Sequence, residues 1–293
     1  MSMKTLIPAQ KQTVWGWPAV ANFSLGGMGT GLYLSGVLLL ALRGGDLPAA
    51  GMFKLGGPAL AGLGLLALTS EAGRPLRGLN LLRHLGRSWM SREALAAAIF
   101  IPAAVLEYFL PHPVLFVIAM AACCVLMVSQ GFIVYRSRGV TAWNSGIIPF
   151  LYVTSGLVSG FGLTALLIAA GLVTSGPGLT LWGLVCAAGN LALWLLYLRL
   201  PGTDFRDATR ALRTPYWLGL TLGAGHLLPI LLLIGAPAVD GIGAALLMAL
   251  TGGTLILGGV LQKVGIILGA GYLHPIQLGS RSVPPNHAAH AAP

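Results

Sequence analysis

Residues 113–135 read PVLFVIAMAACCVLMVSQGFIVY, 23 consecutive positions without Asp, Glu, Lys or Arg. An α-helix needs about 20 apolar residues to cross roughly 30 Å of hydrocarbon. It is also the simplest way to satisfy every backbone N–H and C=O inside one segment where no water is present. Working outward, seven further runs have this character, giving eight in all: 19–42, 49–70, 93–110, 113–135, 146–173, 179–200, 216–236 and 241–272. The composition agrees, with 56% hydrophobic and 8% charged residues, against about 25% charged in an ordinary soluble domain. The sequence predicts an all-α polytopic membrane protein of eight transmembrane helices. A single membrane domain is expected over 1–272, followed by a Pro-, Ala- and His-rich tail, 273–293, expected to be disordered and cytoplasmic.

The charges encode topology. If the termini and each gap after an even-numbered run share one side, that side holds Lys4, Lys11, Arg74, Arg77, Arg83, Arg87, Arg92, Arg136, Arg138, Arg199, Arg206, Arg210, Arg213 and Arg281, which is 14 of the 17 basic residues. The opposite side holds Arg43, and Lys54 and Lys263 fall inside runs. One helix more or fewer would scramble this split. The positive-inside rule then places both termini in the cytoplasm, with a bacterial inner membrane as the expected location. The net charge of +10 forms no basic stripe on a soluble face, so nucleic acid is not an expected partner, whereas anionic membrane lipid is. Two basic-side gaps, 71–92 and 201–214, interleave Arg with Leu, Trp or Phe, as amphipathic segments at an interface do. The first residues contain neither a cleavable signal pattern nor a twin-arginine leader, so the first span is expected to stay in place.

Cofactor chemistry is narrowed by what the spans carry. Of six histidines, only His226 lies well inside a run, so paired axial ligands for haem are not expected. Cys123, Cys124 and Cys186 lack metal-ligand spacing, and no metal site is predicted. Ionisable residues inside spans are costly and mark functional candidates. His226, flanked by Gly225 and Pro229, and Lys263 are candidates for proton transfer. Lys54 and Glu107 lie close enough to helix ends to reach an interface by themselves. The run Gly26-Gly27-Met28-Gly29-Thr30-Gly31 lies inside a span and lacks nucleotide-loop spacing; it reads as a small-residue packing seam. At the basic ends of four helices gather Trp15, Trp17, Pro18 and Asn22, then Glu71, Arg74 and Pro75, then Ser129, Gln130 and Tyr135, then Trp143 and Asn144. Aromatic walls with a few amides and a carboxylate suit a quinone ring and its two oxygens. An aromatic belt with helix caps is the plainer alternative.

The ordered pieces Trp15-Gly16-Trp17-Pro18 with Asn22-Phe23, Glu71-Ala72-Gly73-Arg74-Pro75-Leu76-Arg77, Ser88-Trp89-Met90-Ser91-Arg92-Glu93 and Ala142-Trp143-Asn144-Ser145 resemble the membrane-anchor subunits of the polysulfide and dimethyl sulfoxide reductase families. The likeness covers the first five helices by motif and the others by topology. It implies eight helices in two four-helix bundles, no haem, and a site for menaquinone or ubiquinone involving Trp17, Asn22, Glu71, Arg74, Ser129 and Tyr135. It further implies a partner subunit carrying four iron–sulfur clusters and a molybdopterin catalytic subunit with molybdenum or tungsten. Two positions depart from the family pattern. Glu71 stands where the dimethyl sulfoxide reductase type has a His in an H-x-G-x-P element, and Ser129-Gln130-Gly131 where the polysulfide type has Y-T-G. A secondary transporter is the competing reading, for which internal repeats and broken helices at the midplane would be expected.

Overall fold

The structure, a computed structural model, describes residues 3–44, 49–70 and 83–279. Within them eight helices are long and apolar enough to span a membrane: α1 Trp17–Leu42, α2 Ala50–Thr69, α3 Trp89–Phe109, α4 Pro113–Arg136, α5 Ile148–Ala169, α6 Pro177–Leu198, α7 Pro215–Ala238 and α8 Gly241–Gly269. Proline occupies the first turn of α1, α4, α5, α6 and α7, where its missing N–H costs no helical bond. The third helix begins earlier than its apolar run, because Ser88 caps it by accepting a hydrogen bond from the Ser91 N–H. This places Glu93 a full turn inside the helix. The fifth ends earlier than its run, with Gly171 at φ +72° just beyond it. Two helices widen locally: Gly219–Leu227 in α7 and Gly265–Gly269 in α8 are π-helical.

Helix α1 packs against α2, α4 and α5; α3 packs on α4; α5 also meets α6 and α8, and α7 meets α8. The closest crossing is between α1 and α5. A Cβ built on Gly31 would lie 2.1 Å from the Gly156 carbonyl oxygen, and one on Gly160 would lie 2.1 Å from the Gly31 carbonyl carbon. The seam expected from the α1 glycines thus brings backbone against backbone. Gly29 meets Gly57 of α2 in the same way, Gly162 meets Gly252 of α8, and Gly225 of α7 meets Gly258 of α8.

Both chain ends lie on one face. Strand β1, Met3–Ile7, pairs antiparallel with β2, Ile276–Gly279. The Gln12 N–H donates to the Gly271 carbonyl at 2.8 Å, and the Thr141 N–H, from the loop between α4 and α5, donates to that of Tyr272 at 3.0 Å. The described residues continue past Tyr272 as far as Gly279, while 280–293 lie outside them. On the opposite face the Arg43 guanidinium donates to the Thr174 carbonyl at 3.0 Å, tying the first loop to the fifth. The 201–214 gap has the amphipathic character expected of it: in the short helix Thr203–Ala208 and the 3-10 turn Arg210–Arg213, Phe205, Ala208 and Leu212 are buried, whereas Asp204, Arg206, Asp207 and Arg210 are exposed.

The α1–α5 contact has little room to relax, since both sides are backbone. Gly160→Ala should destabilise the protein by about 1–3 kcal/mol, the usual cost of overpacking, read as an earlier thermal midpoint in detergent. Gly189→Ala in α6, where an added Cβ meets nothing within 4 Å, should leave that midpoint in place.

Candidate functional site

One turn below the face that carries the chain ends, the Glu93 carboxylate is buried between helices. Its Oε1 accepts from Asn22 Nδ2 of α1 at 3.0 Å and from Gln130 Nε2 of α4 at 3.3 Å. Gln130 Nε2 also lies 3.3 Å from the Asn22 carbonyl oxygen. Two amides thus hold one acid, and a buried carboxylate requires such donors because lipid supplies none. Lys263 of α8 comes close to α1 at Gly27. It is 2% exposed, and its Nζ donates to Ser155 Oγ at 2.8 Å, with the Gly259 carbonyl at 3.5 Å. A Cβ built on Gly27 would lie 3.7 Å from Lys263 Nζ and 3.8 Å from Gln130 Oε1. Gln130 and Lys263 therefore both border the space that Gly27 leaves open.

An aromatic layer roofs this cluster. Trp15 stacks on Trp143 with centroids 4.9 Å apart and tilts against Phe23, which meets Tyr152 edge-on. Trp143 Nε1 is fixed by donation to the Ile266 carbonyl at 2.7 Å. Beside it Trp89 stacks on Phe132, with the Arg92 guanidinium 4.3 Å over the indole. Of the residues singled out in the sequence, Asn22 enters the cluster and Lys263 borders it. Ser129 is buried next to Gln130, with no hydrogen-bond partner for its hydroxyl among the described residues. Trp17 is 65% exposed at the start of α1, and Tyr135 packs edge-on against Phe132 near Arg136, apart from the acid. Glu71 and Arg74 lie outside the described residues. Sequence reasoning placed Gln130 in the cluster at the helix ends but did not put forward Glu93 as a site residue. The available signal was that only Glu93 and Glu107, of seven acidic residues, fall inside the apolar runs.

His226 belongs to a separate network among α5–α8. Its ring nitrogens meet the Thr221 carbonyl, Asn190 and Gln262, and Asn190 Nδ2 donates to Thr154 Oγ1 at 2.8 Å. Toward the opposite face, Lys54 Nζ and Glu107 Oε1 form an ion pair at 2.5 Å beside a recess lined in part by Tyr33, Phe53 and Phe116. These two side chains do not reach interfaces singly; they neutralise each other between α2 and α3.

Eight apolar helices that bury an acid, an amine and a histidine define an integral membrane subunit with polar chemistry inside it. Comparison with known proteins gives the class. Residues 16–188, more than half of the sequence, match the family of the DMSO reductase anchor subunit (DmsC). The C polypeptide of the polysulfide reductase of Wolinella succinogenes is 25% identical over 305 residues, a likeness covering 88% of this protein and 94% of that one. The protein belongs to the DMSO reductase anchor subunit family: it is a multi-pass membrane anchor of an oxidoreductase complex.

Removing one partner of a buried ion pair strands the other. Lys54→Met should therefore cost about 3–5 kcal/mol of stability, and the double replacement Lys54→Met with Glu107→Leu should recover most of it. Thermal unfolding in detergent across the four-member cycle measures the coupling.

Proposed function

We propose that this anchor exchanges electrons and protons between the membrane quinone pool and an iron–sulfur subunit, at the pocket centred on Glu93. That subunit serves a molybdopterin catalytic partner, where the substrate chemistry takes place. The observation that carries this reading is the buried Glu93 carboxylate, held by Asn22 and Gln130, with the buried Lys263 amine near Gln130 at Gly27. A quinone takes two protons with two electrons on reduction, and its oxygens accept hydrogen bonds in a flat apolar slot. The residues present fit such a molecule. Asn22 Oδ1, Ser129 Oγ and Tyr152 OH are buried without partners among the described residues, and Trp15, Trp143 and Phe23 supply aromatic walls.

In this reading Glu93 takes and returns the proton, its carboxylate form being met by donors from Asn22 and Gln130. Asn22 and Gln130 orient it. Lys263 supplies an N–H donor from the opposite wall. Glu71 and Arg74 complete the site from the adjoining family motif. Either menaquinone or ubiquinone suits these groups, and no haem enters the scheme. The helix neighbours support two four-helix bundles, α1–α4 and α5–α8, joined along the α1–α5 seam.

Orientation follows from charge. The face carrying both chain ends and the aromatic layer also carries Arg136, Arg138, Arg206, Arg210 and Arg213, so it is assigned to the cytoplasm of a bacterial inner membrane. The iron–sulfur and catalytic subunits then dock inside the cell, which favours an intracellular substrate such as sulfite or an acyl-coenzyme A thioester.

In the assembled complex, Glu93→Gln should lower quinol-coupled turnover by about a hundredfold or more, the usual worth of a proton-transferring group, and Lys263→Met should lower it as well. Reduction or oxidation through an artificial dye at the partner subunits should persist. Trp17→Ala, outside the cluster, should leave both activities in place. Full quinol turnover in Glu93→Gln would refute the assignment. For orientation, a membrane-impermeant thiol reagent applied to intact spheroplasts should label Ser175→Cys and spare Arg138→Cys; the reverse pattern would invert the topology.

A further inference from the structure

The second half of the protein carries a histidine that the quinone pocket does not use. His226 is 2% exposed, on the π-helical stretch Gly219–Leu227. Helices widened in this way recur at functional sites. Here the wide turn brings the Thr221 carbonyl oxygen to 2.5 Å from His226 Nδ1, so Nδ1 carries a hydrogen and donates it. The other nitrogen, Nε2, faces two amides of opposite sense: Asn190 Oδ1 at 2.8 Å and Gln262 Nε2 at 3.2 Å. An acceptor at that distance calls for an N–H on Nε2, and a donor calls for a lone pair. Gln262 Oε1, buried and without a partner among the described residues, is available for the other arrangement.

A side-chain amide presents either end after a half turn. Turning Asn190 gives a shell of two donors around a neutral imidazole, and Thr154 Oγ1 then donates to the Asn190 oxygen. Turning Gln262 instead gives two acceptors around an imidazolium. Both charge states are therefore satisfied by the same side chains, with no movement of backbone. We propose that His226 is a proton-binding site of α5–α8, where uptake forms an N–H bond at Nε2 and the two amides reorient to match.

The charges facing it determine how the site behaves. Helices α5–α8 contain no Asp or Glu. Their ionisable side chains are Tyr152 on α5, Cys186 and Tyr197 on α6, Tyr216 on α7 itself and Lys263 on α8. The turn Arg210–Arg213 packs against the first turn of α7, away from the histidine. Lys263 follows Gln262 directly and carries the one side-chain cation on these helices, and its Nζ is turned to Ser155 Oγ and the Gly259 carbonyl while Gln262 meets the histidine. This site stands independently of the quinone assignment.

The test is infrared pH-difference spectroscopy on the purified full-length protein in nanodiscs, without quinone, with unlabelled and 15N-histidine samples. A pair of isotope-sensitive imidazole bands should interconvert with pH and vanish in His226→Gln. In Asn190→Asp, where a carboxylate faces Nε2, the interconversion should move to higher pH. Bands unchanged in His226→Gln would assign the signal to His84, His112, His274 or the remaining histidines and overturn the proposal. If His226→Gln does not fold, Asn190→Asp decides, since titration at the wild-type pH in that variant excludes His226. Quinone binding measured separately by tryptophan quenching distinguishes failure of this site from failure of the pocket at Glu93.

Discussion

Everything in this fold depends on the backbone of α1 lying directly against that of α5. In hydrocarbon no solvent drives helices together, because lipid tails are as apolar as leucine, and association has to come from van der Waals contact and interhelical hydrogen bonds. Close approach at Gly31, Gly156 and Gly160 supplies that contact where the two halves of the protein join. Equivalent glycine crossings hold α2 to α1, α8 to α5 and α7 to α8. The exposed surfaces of the spans, rich in Leu, Ile and Val, meet lipid and contribute little to the choice of partner.

The same glycines determine where polar chemistry is allowed. A side chain at Gly26 would meet Gln130 Nε2 at 2.1 Å, and one at Gly27 would come within 4 Å of both Lys263 and Gln130. Packing and site construction are therefore one demand on the α1 sequence. The distribution of charge also follows. The α1–α4 half holds two buried acids, Glu93 and Glu107, of which Glu107 is neutralised by Lys54. The α5–α8 helices hold a histidine and a lysine and no acid at all.

The eight spans and the grouping of both ends on one face were legible in the sequence because hydropathy and charge bias are properties of the chain in one dimension. The site was legible only in part. Asn22 and Lys263 were visible as polar residues in apolar runs. Glu93 was counted as the edge of a run, because the Ser88 cap that starts α3 a turn earlier is a matter of local geometry. The Lys54–Glu107 pair joins residues 53 positions apart, which no periodicity discloses. Trp15, ahead of the first helix, stacks on Trp143, whereas Trp17 faces outward; a two-residue difference at a helix start settles which indole turns inward. The amide shell of His226 draws Asn190, Thr221 and Gln262 from three helices, a convergence that exists only after folding.

The clasp between β1 and β2 sets an order of events during synthesis. Its first strand emerges from the ribosome before any helix, and its second only after all eight helices have been made. Until then the amino-terminal strand has no mate, and neither do the Gln10 carbonyl and the Gln12 N–H, which bond to Leu273 and Gly271. Closing the clasp therefore requires that all eight spans have already been made, so a chain that ends before Ile276 lacks this pairing.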